Sequence, residues 1–189
     1  MSLLQRKTFV VVLVLLLVAI LGMVAYTLWW RGNALPAYGT APDFTLESAH
    51  GGDFTFSESD GKVRVVEFMY TRCPDVCTPT TMAMARMQEA VEAKGWKDKV
   101  MFISVTLDPE VDTPEVLQAY SERIGADLDN WVFLRGSEET LQEILRPYGF
   151  YSQKLDNGLV AHTSTFYLVD QKGQIRGLYQ MGFEVDDAA

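Results

Sequence analysis

An α/β domain carried behind one membrane-spanning helix is the fold class this sequence predicts. Three observations carry that expectation. An uncharged apolar run fills residues 8–30. Two β-rich runs, 63–70 (VRVVEFMY) and 99–107 (KVMFISVTL), are each followed by a helical pattern. A last pair of β-rich runs flanks Asp170-Gln171-Lys172-Gly173.

The apolar run has 23 residues, enough to cross a bilayer core of ~30 Å as a helix. Arg6 and Lys7 precede it, so the positive-inside bias sets the N-terminus in the cytoplasm. Trp29 and Trp30 close it, where aromatic rings favour the membrane interface. A cleaved signal peptide would carry an apolar core of ~7–15 residues followed by small residues. This run is longer, ends in Trp-Trp-Arg, and has no cysteine nearby to take a lipid. The expectation is an uncleaved, single-pass anchor in the cell membrane over residues 1–31, with the rest of the chain extracytoplasmic. Residues 32–42, GNALPAYGTAP, read as a linker, and 43–189 as the domain.

Of the 189 residues, the first 31 hold three basic side chains and no acid, so the net charge of −9 understates how acidic the remainder is. An acidic surface excludes nucleic acid as a partner, because phosphate binding needs a basic face. It suits a solvated domain near other proteins or cations. No repeat or low-complexity tract interrupts the chain.

The elements follow in order. Phe44-Thr45-Leu46 and Phe54-Thr55-Phe56 flank His50-Gly51-Gly52 and predict a hairpin. Residues 63–70, mostly apolar, suit a buried central strand. Residues 78–94 are helical, with Met84, Met87 and Val91 on one face. Residues 99–107 form a second buried strand. Thr113 caps a helix with Pro114 in its first turn. Trp131-Val132-Phe133-Leu134 is a third strand, and Ser137 caps a helix reaching about Arg146, with Pro147 past its end. Residues 163–169 and 174–181 close the chain as a hairpin. Alternating strands and helices imply a largely parallel sheet covered on both faces. The antiparallel hairpin added to it makes the sheet mixed, which is the thioredoxin architecture. The ending Asp186-Asp187-Ala188-Ala189 leaves little room for a closing helix.

The chemistry concentrates at Tyr70-Thr71-Arg72-Cys73-Pro74-Asp75-Val76-Cys77. A buried strand ends there and a helix begins at the second cysteine, and open α/β sheets place ligands at the carboxyl ends of their strands. A helix N-terminus lowers thiol pKa and favours thiolate, the form that attacks disulfides and binds metals. Cys73 and Cys77 are the only cysteines. A bridge between them would close almost no loop and add little stability, so chemistry explains them better than stapling. The C-x-x-x-C spacing allows a bridge and also allows both sulfurs to grip one soft ion such as Cu(I). A third ligand is needed. Of the two histidines, His50 sits in a Gly-rich turn and reads as exposed and without a role. His162 precedes the penultimate strand, beside the cysteines in a thioredoxin-like layout. Two sulfurs and one imidazole suit copper in either oxidation state better than zinc, which takes four ligands in structural sites. Asp108, at the end of the second strand, is either a group tuning the ligands' charge or a turn cap. Asp75 reads as solvated. Arg72 either offsets thiolate charge or is exposed. Met82, Met84 and Met87 read as core packing and not as a methionine copper site.

With these residues in place, the chain resembles the Sco/SenC family of copper-binding proteins involved in cytochrome c oxidase assembly. The resemblance rests on Tyr70-Thr71-x-Cys73-Pro74-Asp75-Val76-Cys77, on Asp108-Pro109-Glu110-x-Asp112-Thr113-Pro114, and on His162 ahead of Phe166-Tyr167-Leu168-Val169-Asp170. It spans roughly residues 41–181. Thr78 stands where the family usually has proline. The resemblance implies copper, Cu(I) or Cu(II), on Cys73, Cys77 and His162. It further implies a metallochaperone delivering copper to the Cu-A site of an oxidase subunit, with no substrate turnover. A copper donor or a thiol-reducing protein is the further partner implied. The alternative is a thiol–disulfide oxidoreductase using Cys73 and Cys77 to reduce the cysteines of the Cu-A site. Neither cysteine has the flanking proline and hydroxyl spacing that resembles a peroxiredoxin.

Overall fold

The structure, a computed structural model, describes residues 3–32, 35–73 and 77–180. It divides into two units, Met1–Pro36 and Ala37–Ala189.

The first unit is helix α1 (Leu3–Gly32). Its segment Phe9–Thr27 is long and apolar enough to cross a membrane, and none of it is buried by the protein. A helix satisfies its own backbone groups, which is what hydrocarbon surroundings require. The Thr27 hydroxyl does the same, donating to the Val24 carbonyl at 2.9 Å.

The second unit is built on an eight-stranded sheet. Its strands are β1 (Gly39–Thr40), β2 (Thr45–Ser48), β3 (Asp53–Thr55), β4 (Val63–Met69), β5 (Val100–Thr106), β6 (Trp131–Arg135), β9 (Thr165–Val169) and β10 (Gln174–Gln180). They lie in the order β1-β10-β9-β4-β5-β6-β2-β3. The pairs β4–β5 and β5–β6 are parallel, and every other pairing of this sheet is antiparallel. The sheet is therefore mixed, as expected, with its parallel part confined to the βα units at the centre. The cause is that β2 and β9 both run against the βα core, so the first hairpin joins β6 and the last joins β4.

Helices α2 (Cys77–Ala93) and α3 (Pro114–Ile124) cover one face, and α4 (Glu138–Leu145) the other. Side chains alternate across a strand, so Val66 and Phe68 of β4 meet Leu141 and Ile144 of α4, while Val65 and Met69 join Met84 and Leu117. The caps are those expected. Thr113 Oγ1 accepts the Val116 N–H, and Ser137 Oγ accepts the Thr140 N–H at 3.2 Å. Met84 and Met87 are buried as anticipated, but Met82 is 39% exposed, because its position falls on the outward side of α2. Two elements were not anticipated. Strand β1 lies in the segment read as linker, and Ala41 just beyond it is buried. A separate two-stranded sheet pairs β7 (Ser152–Lys154) with β8 (Val160–His162). Asp75 and the C-terminal segment from Met181 lie outside the described residues.

Candidate metal centre

Strand register assembles this site. Met69 and Thr106 are partners at the ends of the parallel pair β4–β5, so the loops carrying Cys73 and Asp108 emerge side by side. Strand β9 runs antiparallel to β4, with Phe166 opposite Glu67. Its beginning therefore lies at the end of β4, and His162, at the end of β8, arrives there too.

The cysteine loop is pinned by a residue that entered the sequence reading only as a member of the Asp-Pro-Glu-x-Asp-Thr-Pro motif. Asp112 is wholly buried. Its carboxylate accepts the Thr71 backbone N–H at 3.1 Å and the hydroxyls of Thr71 and Thr106. The Cys73 N–H closes the turn onto the Tyr70 carbonyl at 3.3 Å. Cys77 is the first residue of α2.

His162 Nε2 stands 3.9 Å from Cys73 Sγ. Its Nδ1 lies 2.8 Å from the Thr163 carbonyl. A carbonyl only accepts, so Nδ1 carries the hydrogen and Nε2 keeps its lone pair toward the sulfur. That is the tautomer a metal-binding imidazole needs. Phe150 stacks on the ring and Tyr70 meets it edge-on, with centroids 6.0 and 5.6 Å away. Ligand bonds of about 2.3 Å to sulfur and about 2.0 Å to nitrogen, opened to roughly 120–130°, bring the two atoms to about this separation. The donors thus suit one soft or borderline ion without a large shift.

Asp108 has a role that the turn-cap alternative does not describe. Its side chain is 1% exposed, with Arg72 Nη2 2.8 Å from Oδ2 and Lys154 Nζ 3.6 Å from Oδ1. Arg72 also donates to the Gly158 carbonyl at 3.4 Å. One buried carboxylate thus ties the cysteine loop to the β7–β8 hairpin that ends in His162. Arg72 is consequently both half-exposed and paired. His50 is exposed, 3.3 Å from Ser121 Oγ and apart from this cluster. Asp112, Tyr70, Phe150 and Lys154 were missed as site residues. Their contributions depend on long-range pairing; Tyr70 and Asp112 lie within the Tyr-Thr-x-Cys and Asp-Thr-Pro motifs, whereas Phe150 and Lys154 left no trace in the sequence.

A model of the SCO1/SenC family matches residues 33–189. The SCO1 protein homolog of Bacillus subtilis is 30% identical over 70% of this chain and 69% of its own length. Across four such relatives the matched stretch covers between 57% and 70% of their length. Arabidopsis thaliana ScoI, solved with copper bound, superimposes with a TM-score of 0.68 at 26% identity, over 78% of this chain and 92% of that one. BsSco, a member of the Sco family of cytochrome c oxidase assembly proteins in which a disulfide switch was identified, gives a TM-score of 0.72 at 28% identity, over 82% and 92%.

Proposed function

The chain belongs to the SCO1/SenC family, and from that premise we propose that it is a membrane-anchored copper metallochaperone. It takes copper on Cys73, Cys77 and His162 and passes it to the Cu-A site of a cytochrome c oxidase subunit. The observation that carries this reading is His162 Nε2 facing Cys73 Sγ at 3.9 Å, with Nδ1 turned to the Thr163 carbonyl. The copper bound to Arabidopsis ScoI supports the same assignment. Helix α1 is the anchor, with the N-terminus cytoplasmic and the domain extracytoplasmic. Thiolates shared between donor and recipient let the ion move without being released to water.

A second reading has its own support. A cysteine pair at the start of a helix suits thiol–disulfide exchange, and BsSco carries a disulfide switch. Replacing His162 with Ala separates the two. As a chaperone, the variant loses at least about tenfold in copper affinity, or 1.4 kcal/mol, and fails to support oxidase assembly under limiting copper while still reducing a model disulfide. Thermal unfolding of both apo forms checks that the variant folds. If it folds, exchanges thiols normally and fully restores the oxidase, the reductase reading replaces the chaperone.

A further inference from the structure

The two halves of the metal centre stand on different sheets. Cys73 follows the end of β4 in the eight-stranded sheet, whereas His162 ends β8 in the separate β7–β8 pair. Among the described residues no strand pairing joins the two sheets. His162 stands three residues before Thr165, the first of β9, which fixes where its backbone runs but not how its ring is turned. Yet Nε2 faces Cys73 Sγ at 3.9 Å. Side-chain contacts must set that orientation.

Phe150 is placed to do so. It lies ahead of β7 and is 6% exposed. Its ring packs on Phe68 of β4 and Tyr167 of β9, with centroids 4.9 and 6.4 Å away. The His162 imidazole lies against the same ring, with centroids 6.0 Å apart and planes only 18° from parallel. One aromatic side chain thus touches both the main sheet and the imidazole carried by the small one. Tyr70 meets the imidazole nearly edge-on, at 81°. A flat ring leaves room beside it for a ring lying nearly parallel, so Phe150 fixes the plane of the imidazole. The plane still admits two orientations related by a half-turn, because the terminal torsion of histidine is broad and roughly two-fold. The Thr163 carbonyl, 2.8 Å from Nδ1, selects the one that sends Nε2 toward Cys73. A neutral hydrogen bond alone sets a population ratio of only about five to one. The stacked ring adds to it.

We propose that Phe150 is a positioning residue of the metal centre. By stacking on His162 it holds the imidazole plane in which Nδ1 meets the Thr163 carbonyl and Nε2 meets Cys73. Phe150 carries no donor atom, so its effect reaches an ion through the imidazole alone. The inference rests on the reading of His162 as a copper ligand.

The test is the tautomer of His162 in the reduced, metal-free full-length chain, held in detergent micelles with its histidines labelled with nitrogen-15. Spectra are taken in mild alkali, where free imidazole is neutral. A carbonyl only accepts, so the parent carries the hydrogen on Nδ1. In Phe150→Leu the ratio of the Nδ1–H to the Nε2–H form falls by about 2- to 12-fold, the range that an aromatic pair contributes beyond its buried area. Phe150→Tyr keeps the flat ring and keeps the parent ratio. Phe44→Leu breaks the Phe44–Phe56 ring pair of the same core, in which His162 takes no part, and leaves the ratio unmoved. An unchanged ratio in Phe150→Leu overturns the proposal. So does an equal fall in Phe44→Leu, or a fall in Phe150→Tyr as large as in Phe150→Leu. If Phe150→Leu does not fold, Phe150→Met, whose flexible side chain fills irregular space, is read in its place. His162→Ala identifies the His162 signal by its loss and reports on the underlying reading. If that variant binds copper as tightly as the parent, His162 is no ligand, even where Phe150→Leu shifts the ratio. If it loses copper while Phe150→Leu leaves the ratio unmoved, Phe150 alone is refuted.

Discussion

Replacing Asp112 with Ala measures how far the cysteine loop depends on one carboxylate. Asp112 is wholly buried and takes three hydrogen bonds, two of them from Thr71, two residues before Cys73. A hydrogen bond to a charged group contributes about 1.5–3 kcal/mol, so the gross ceiling is roughly 4–9 kcal/mol. The two hydroxyls can rotate toward other acceptors, whereas the Thr71 amide cannot leave its loop. The net loss is therefore about 2–4 kcal/mol. Urea unfolding of the full chain in micelles, followed by the fluorescence of buried Trp131, reads this directly. Thr71→Val, which keeps the amide bond and loses only the hydroxyl, should cost about 1 kcal/mol. The loop released by Asp112→Ala no longer holds Cys73 against His162, so copper affinity should fall by about tenfold. A stability loss below about 1 kcal/mol, or full copper affinity in a destabilised variant, would refute the idea that Asp112 positions the cysteines.

Two further outcomes follow from the same structure. Burial raises the Glu67 pKa from 4.5 to about 7, so the native state holds this proton more tightly than the unfolded chain. Stability therefore falls as pH rises through that window and levels off above it, a loss on the order of 3 kcal/mol. Urea unfolding should find Glu67→Gln close to the parent in mild acid and more stable than it in mild alkali, and a constant difference between the two would exclude Glu67 as the source. Expression of residues 32–189 without α1 should yield a protein that stays in the supernatant after a high-salt wash, since among the described residues Phe9–Thr27 is the segment long and apolar enough to cross a membrane. Pelleting with membranes would disprove a single anchor.

Much of the fold was legible because its signals are local. The strands β4 and β5 are runs of β-branched and apolar residues, and Thr113 and Ser137 announce their helices through caps that act within one turn. The β7–β8 hairpin was missed because Ser152-Gln153-Lys154 is polar throughout and pairs with Val160-Ala161-His162 outside the main sheet. No alternation marks such a strand. Met82 was placed in the core with its neighbours because a cluster of apolar residues reads alike on either side of a helix edge. The mixed character of the sheet was anticipated from the closing hairpin, but the pairing of the first hairpin with β6 was not. The direction in which β2 joins β6 is set by packing across nearly ninety residues of chain, with Glu47 opposite Arg135, and no local propensity records it.

The sequence by itself determined the apolar helix, the two central strands and the placing of Cys73 and Cys77 between a strand and a helix. Those features rest on hydrophobic run length, β-branching and residue spacing, all of which are properties of neighbouring residues. Only the tertiary structure decided that Nε2 of His162 faces Cys73 while Nδ1 turns to the Thr163 carbonyl. It also decided that Asp108 bridges Arg72 and Lys154, that Asp112 secures Thr71, and that Glu67 lies buried beneath α2. Each of these depends on which strand ends meet and in what register. A shift of one residue in that register turns every side chain to the opposite face.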